Sequence, residues 1–262
     1  MKRILFIYFL LTANNVFAER NIINFSGLAD KLDFEGNEEL SMIGEFGFLL
    51  ADGNTNTSTI TAKMNTSQEL TSWSYQFIGD VLYIQSPQEV DGEKNNGASA
   101  QKLFLSGQFE HKFTDPNERM FIYGEYENNR FNGFRYQATI SAGWSSRLWR
   151  DKHSELKYSF GPGYSISEIK QGNKGKDNKG IIVRAAMEYK RKFSEHAMFL
   201  QLVSIEIDQE FNKTESETSL TTKLTGSLAL KLSFSVNLDT SVGPDIEELD
   251  TETVITLVYQ FF

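Results

Sequence analysis

From about residue 42 to the C-terminus, apolar and polar side chains alternate with a period of two, the spacing that places successive residues on opposite faces of a β-strand. Leu228, Leu230, Leu232, Phe234, Val236 and Leu238 share one face, while Ala229, Lys231, Ser233, Ser235, Asn237 and Asp239 share the other. Tyr136, Ala138, Ile140, Ala142, Trp144 and Leu148 oppose Arg135, Gln137, Thr139, Ser141, Ser145 and Arg147. The same split separates Ile181, Val183, Ala185, Met187 and Tyr189 from Arg184, Glu188, Lys190 and Lys192. Many of these runs last roughly 11–16 residues, about twice the length usual for globular strands. Aromatics such as Tyr136 and Trp144 fall towards the ends of apolar faces, as in the interfacial girdles of membrane barrels.

The runs read as twelve strands, over 42–51, 58–67, 72–86, 100–113, 119–131, 134–149, 154–169, 180–193, 197–210, 217–225, 228–240 and 250–262. Connections at one end are short: near Glu69, then Thr114–Glu118, Arg150–His153, Ser194–Glu195 and Thr225–Ser227. The long polar connections, Pro87–Ser99, Lys170–Lys179, Asp208–Ser216 and Ser241–Leu249, all fall at the other end, beside the short Asp52–Thr57 and Asn129–Gly133. Long outer loops opposed to short periplasmic turns are the habit of transmembrane barrels. The expected fold is therefore all-β: an antiparallel transmembrane β-barrel of about twelve strands over 42–262, with both termini periplasmic.

The N-terminus agrees with export. Lys2 and Arg3 precede the apolar run Ile4–Leu11, and Val16-Phe17-Ala18 fits a small-x-small cleavage site, so residues 1–18 read as a signal peptide. Residues 19–41 read as a periplasmic N-terminal segment: a tail, a short extra element or a partial plug. The apolar run is too short for a membrane helix. Mean hydropathy is negative and 23% of residues are charged, which in a barrel reflects two opposed faces averaging out. With no cysteine there is no disulfide framework, thiolate metal site or cysteine nucleophile, and no cofactor is expected. Only 4 prolines against 21 Phe and 10 Tyr suit long regular strands. The net charge of −9, or −11 once Lys2 and Arg3 leave, argues against nucleic-acid binding.

Several stretches carry a family resemblance. Gly44-Glu45-Phe46-Gly47-Phe48 with Asp52-Gly53-Asn54-Thr55, Tyr126 to Phe134, Gly161-Pro162-Gly163-Tyr164, Thr218-Ser219-Leu220 and Leu228 to Ser233 are among them. So are Asp250 to Thr253 and Leu257-Val258-Tyr259. Over about residues 42–262 the chain resembles the family called domain of unknown function 481, whose members often carry the label salt-induced outer membrane protein. That resemblance implies an outer-membrane barrel and a link to salt stress, and it implies no catalytic residues. One departure stands out. Barrel proteins commonly end in Phe with an aromatic two residues earlier, the pattern read by the assembly machinery; here Tyr259 and Phe261 supply that spacing and Phe262 is an extra residue.

If the apolar faces meet lipid, the polar faces line the lumen. Lys63, Asp80, Lys102, Glu110, Glu125, Arg135, Arg147, Lys157, Arg184, Glu188, Lys190, Lys223 and Lys231 are the leading lumen candidates. With Lys112, Lys192, Glu45, Glu127, Glu155, Glu206, Asp208 and Asp239 on the same polar faces, the two signs nearly balance. Such a lumen either packs into an ionic network, because buried charges must be paired, or stays open as a narrow, weakly selective pore. Twelve strands lie between filled eight-stranded barrels and open sixteen-stranded porins, so size does not decide. Catalysis has little support, because His111, His153 and His196 have no Ser–carboxylate arrangement around them. An outer-membrane hydrolase would need His111 beside a Ser or an acid, and a soluble periplasmic β-protein is the remaining alternative. The acidic run Asp245–Asp250 lacks EF-hand spacing and reads as a solvated loop or a loose cation contact at the lipopolysaccharide surface. Gly161-Pro162-Gly163 falls inside a strand, where Pro removes a ladder hydrogen bond, so a bulge or kink is expected. The expected partners are outer-membrane lipid, lipopolysaccharide and the barrel-assembly machinery.

Overall fold

The computed structural model describes residues 40–51, 57–90, 93–129, 134–170, 177–209, 211–242 and 247–261. The expected signal peptide, almost all of the 19–41 segment, Phe262 and part of the acidic run lie outside them. Twelve strands follow in chain order: β1 (Ser41–Ala51), β2 (Thr57–Glu69), β3 (Trp73–Val90), β4 (Glu93–Lys112), β5 (Glu118–Asn129) and β6 (Phe134–Arg150). They continue as β7 (Ser154–Ile169), β8 (Asn178–Ser194), β9 (Ala197–Ile207), β10 (Asn212–Thr225), β11 (Leu228–Asp239) and β12 (Leu249–Gln260). Each pairs antiparallel with its neighbours in sequence, and β12 closes on β1, giving an all-β closed barrel. Closure removes both sheet edges, which a chain with no other cover for its backbone groups requires.

The alternation becomes an inside and an outside. Along β11, Lys231, Ser233, Ser235 and Asn237 are buried in the lumen while Leu230, Leu232 and Phe234 are exposed. Along β8, Arg184, Glu188 and Lys190 are buried while Ile181, Val183 and Met187 face out. The core is thus the lumen, and the outer wall is largely apolar, interrupted across β9 and β10 where Gln201 bonds Ser216 and Thr218. Near the turn end that wall carries an aromatic band: Phe113 stacks on Trp144, Trp149 and Phe199 flank Tyr189, and Tyr259 meets Phe261 edge-on. At the loop end Tyr126 stacks on Tyr136.

Two expected loops are largely strand. Residues 87–99 belong almost entirely to the β3–β4 hairpin, with Pro87 opposite Asn96 and Val90 opposite Glu93. The polar Asn- and Gly-rich composition suggested a loop, but Asp91-Gly92 between the two halves is the short-range hairpin signal. Likewise β10 begins at Asn212, and just ahead of it the Asp208 carboxylate accepts the Phe211 amide (2.6 Å). The long connections are therefore 170–177 and 240–248, both at the loop end.

Within β7 the Gly161-Pro162-Gly163 stretch breaks a ladder rather than bulging. Pairing with β6 runs through Ser141–Gly163 and resumes at Trp144–Phe160 in unchanged register, while pairing with β8 is continuous through Pro162–Val183. At the break the two backbones come so close that a Cβ on Gly143 would lie 2.2 Å from the Phe160 carbonyl oxygen. One on Gly161 would lie 2.2 Å from that of Ala142. Only glycine fits at either position.

Candidate functional site: the charged lumen

Among the described residues, three ionic clusters stand out in the lumen. Near the turn end the Arg119 guanidinium donates to Glu69 (2.7 Å) and Glu110 (2.8 Å), which come from β2 and β4, and to the Ser74 hydroxyl (3.1 Å). Lys112 adds a second cation on Glu69 (2.9 Å), and Ser145 donates to Glu110 (3.1 Å). Beside them Glu155 is shared by Arg147 (2.5 Å) and Lys157 (3.4 Å).

The second cluster bridges the lumen. Lys213 on β10 meets Glu125 on β5 at 3.0 Å, although β6, β7, β8 and β9 separate those strands around the wall. The pair therefore crosses the barrel rather than running along it. Tyr123 donates to the other Glu125 oxygen (2.5 Å), and the Arg184 guanidinium lies 4.4 Å from the centre of the Tyr123 ring. Arg184 in turn donates to Glu206 (3.0 Å). The guanidinium is thus satisfied on one side by a carboxylate and on the other by the face of an aromatic ring.

The third cluster backs the junction of β12 and β1. Lys231 on β11 reaches past β12 to Glu45 on β1 (3.2 Å) and also contacts Glu217 on β10 (3.0 Å). The Thr256 hydroxyl lies 3.5 Å from the same Glu45 carboxylate. Lys63 and Asp80 sit opposite each other on β2 and β3 next to this group. A cavity of about 20 Å³ remains among Glu45, Lys63, Asp80, Glu217, Lys231 and Thr256. A second of about 30 Å³ lies towards the loop end near Thr139, Asn178, Glu206, Asp208, Lys213 and Asp239. Both are on the scale of one or two water molecules.

Eleven of the thirteen candidate lumen residues face inward, with Lys102 buried beside Leu82 and Asn129, and Lys190 3.3 Å from Glu188. Two do not line the lumen. Arg135 is 69% exposed on the outer wall and pairs there with Glu168 (2.8 Å). The register shift between Phe134 and Tyr136 turns Phe134 inward and Arg135 out, an offset that uninterrupted alternation could not anticipate. Lys223 is exposed at the turn end of β10, next to the shift between Lys223 and Thr225.

Other lumen residues escaped the sequence reading. Arg119 sits at the very start of β5, against a turn, and Lys213, Glu215 and Glu217 lay in or against an expected loop. Phe104, Phe121, Tyr123, Leu200 and Leu202 are buried inside although apolar. At Met120–Tyr123 both faces of the strand are apolar, so hydropathy has no contrast to report. His111 makes an edge contact with Trp73 on the outer wall, and His153 and His196 lie in turns. Tyr259 and Phe261 face out, with the Phe261 amide bonded to the Met42 carbonyl (2.9 Å).

Comparison with known proteins gives a family and a fold. The model of the family described as Protein of unknown function, DUF481, matches residues 44–261. The uncharacterized protein YdiY of Escherichia coli (strain K12) is 24% identical over 232 residues, 87% of this chain and 84% of that protein. Among solved structures, the NanC porin superposes with a TM-score of 0.50 at 9% identity, over 85% of this chain and all of that one. The translocator domain of the autotransporter NalP from Neisseria meningitidis reaches 0.47 at 10% identity, covering 88% of this chain and 91% of that one. This is an outer-membrane-type barrel.

Proposed function

Because the chain belongs to the DUF481 family, whose description assigns no activity, we propose its function from the lumen: an integral, non-enzymatic outer-membrane barrel that is closed to solutes at rest. The short turns and both termini face the periplasm, and export depends on residues 1–18. The observation that carries this reading is the Lys213–Glu125 pair, which ties opposite walls together at 3.0 Å. Around it many inward residues are buried, and the two cavities found among the described residues are each on the scale of one or two water molecules. Breaking a buried ion pair on one side leaves the other charge uncompensated, so passage would require the whole cluster to rearrange.

Planar-bilayer recording tests this. The wild-type barrel is expected to give no stepwise conductance, whereas Lys213→Glu, which sets like charges across the lumen, is expected to give discrete openings. Steady wild-type conductance would make the barrel an open pore instead. That second reading draws its support from the polar lining of both cavities.

A further inference from the structure

The junction between the first and last strands differs from the rest of the wall. β1 pairs with β2 along its full length, from Ser41–Ser67 to Ala51–Thr57, and β11 pairs with β12 from Leu228–Tyr259 to Leu238–Leu249. β1 and β12 pair only from Ile43–Gln260 to Phe46–Leu257, at the turn end. Among the described residues no pairing between them continues towards the loops. The ladder that seals this junction is therefore a fraction of the length of its neighbours, and a strand pair loses cohesion with each missing hydrogen bond.

What holds the junction is concentrated in few contacts. Outside, the Phe261 ring covers Gly44, so that a Cβ there would lie 3.1 Å from it, and the Phe261 amide bonds to Met42. Inside, Lys231 and Thr256 reach Glu45 from β11 and β12, closing the junction from the lumen side. Directly behind lies the cavity lined by Glu45, Lys63, Glu217, Lys231, Ser233 and Thr256. In front, Phe46, Ile255 and Leu257 present an apolar surface, with Ile255 64% exposed. A polar chamber and an apolar exterior are separated here by the least-bonded part of the wall.

We infer that the β1–β12 junction is a lateral gate, through which the polar cavity behind it communicates with the bilayer when the Glu45 clasp releases. The inference rests on the membrane placement proposed above. Opening separates β1 from β12 at the loop end, where no ladder holds them, and leaves the ladder at Ile43–Phe46 as the hinge. The lumen need not clear along its axis, so the gate operates with the Lys213–Glu125 bridge intact.

The absence of cysteine in the chain gives a clean background for a test in liposomes. Ser233→Cys places a thiol on the cavity wall behind the junction, and Ser159→Cys places one on β7 far around the wall; both serines are buried. An N-alkyl maleimide confined to the bilayer is expected to label the Ser233→Cys barrel and to spare the Ser159→Cys barrel. Adding Glu45→Gln to Ser233→Cys should speed labelling about tenfold or more, since hydrogen bonds to a charged group exceed the ~1.4 kcal/mol that a factor of ten requires. A charged, water-confined maleimide should label the Ser233→Cys barrel far more slowly. Equal labelling of both variants by the bilayer reagent, no labelling of either, or faster labelling of the Ser233→Cys barrel from water would each overturn the gate. Heat-modifiable migration of every variant reports folding, and failure of the wild type to enter liposomes would instead count against the membrane placement.

Discussion

Arg119 satisfies two carboxylates that would otherwise be stranded, one from β2 and one from β4, and its ε-nitrogen donates to the Pro116 carbonyl (3.1 Å). Few side chains could replace it. Lysine offers a point charge without the planar fork that reaches both acids at once, and methionine offers nothing. Removing one partner of a buried ion pair costs about 3–5 kcal/mol, so Arg119→Met is expected to lower barrel stability by that order. Arg119→Lys should fall between it and the wild type. Urea unfolding in lipid vesicles, followed by the loss of heat-modifiable migration, measures both. By contrast Arg135→Gln breaks only an exposed pair on the outer wall, and its unfolding midpoint should stay close to that of the wild type.

Strands show where the sequence is legible and where it is not. The twelve elements, their order and most of their inward faces follow from alternation, because a half-buried strand must repeat every two residues. Legibility fails at three kinds of place. A register shift such as that at Phe134–Tyr136 reverses faces without any change in composition. A polar hairpin such as β3–β4 beyond Gln85 is held by backbone pairing, which side-chain hydropathy does not record. A stretch apolar on both faces, such as Met120–Tyr123, has no contrast. The lumen clusters were legible only as a roster of charges; which acid meets which base depends on strands far apart in sequence, as Glu125 and Lys213 are. The β6–β7 contact gives an element-scale prediction. Gly143→Val should prevent or severely impair barrel formation, because its Cβ would meet backbone atoms 2.2 Å away. Gly180→Ala, with nothing within 4 Å of its Cβ, should migrate as the wild type on gels.

For the molecule as a whole, the outer wall and the lumen have exchanged the roles of surface and core found in water-soluble proteins. Ile140, exposed on the outer face of β6, should be far less tolerant of charge than a surface isoleucine in water. Ile140→Arg is expected to cost about 2–4 kcal/mol in lipid if it lies near the bilayer midplane, whereas Leu249→Arg, at the loop-end start of β12, should cost about 0–1. Equilibrium refolding into vesicles compares the two, and equal costs would contradict the membrane placement. Arg184 on β8, Glu206 on β9, Glu217 on β10 and Lys231 on β11 all project from inward rows. A lone hairpin of these strands would lay those charges against hydrocarbon. On the membrane placement proposed, the smallest piece of this chain suited to a bilayer is consequently the completed ring, so insertion is expected to wait until its last strand, β12, is available to meet its first.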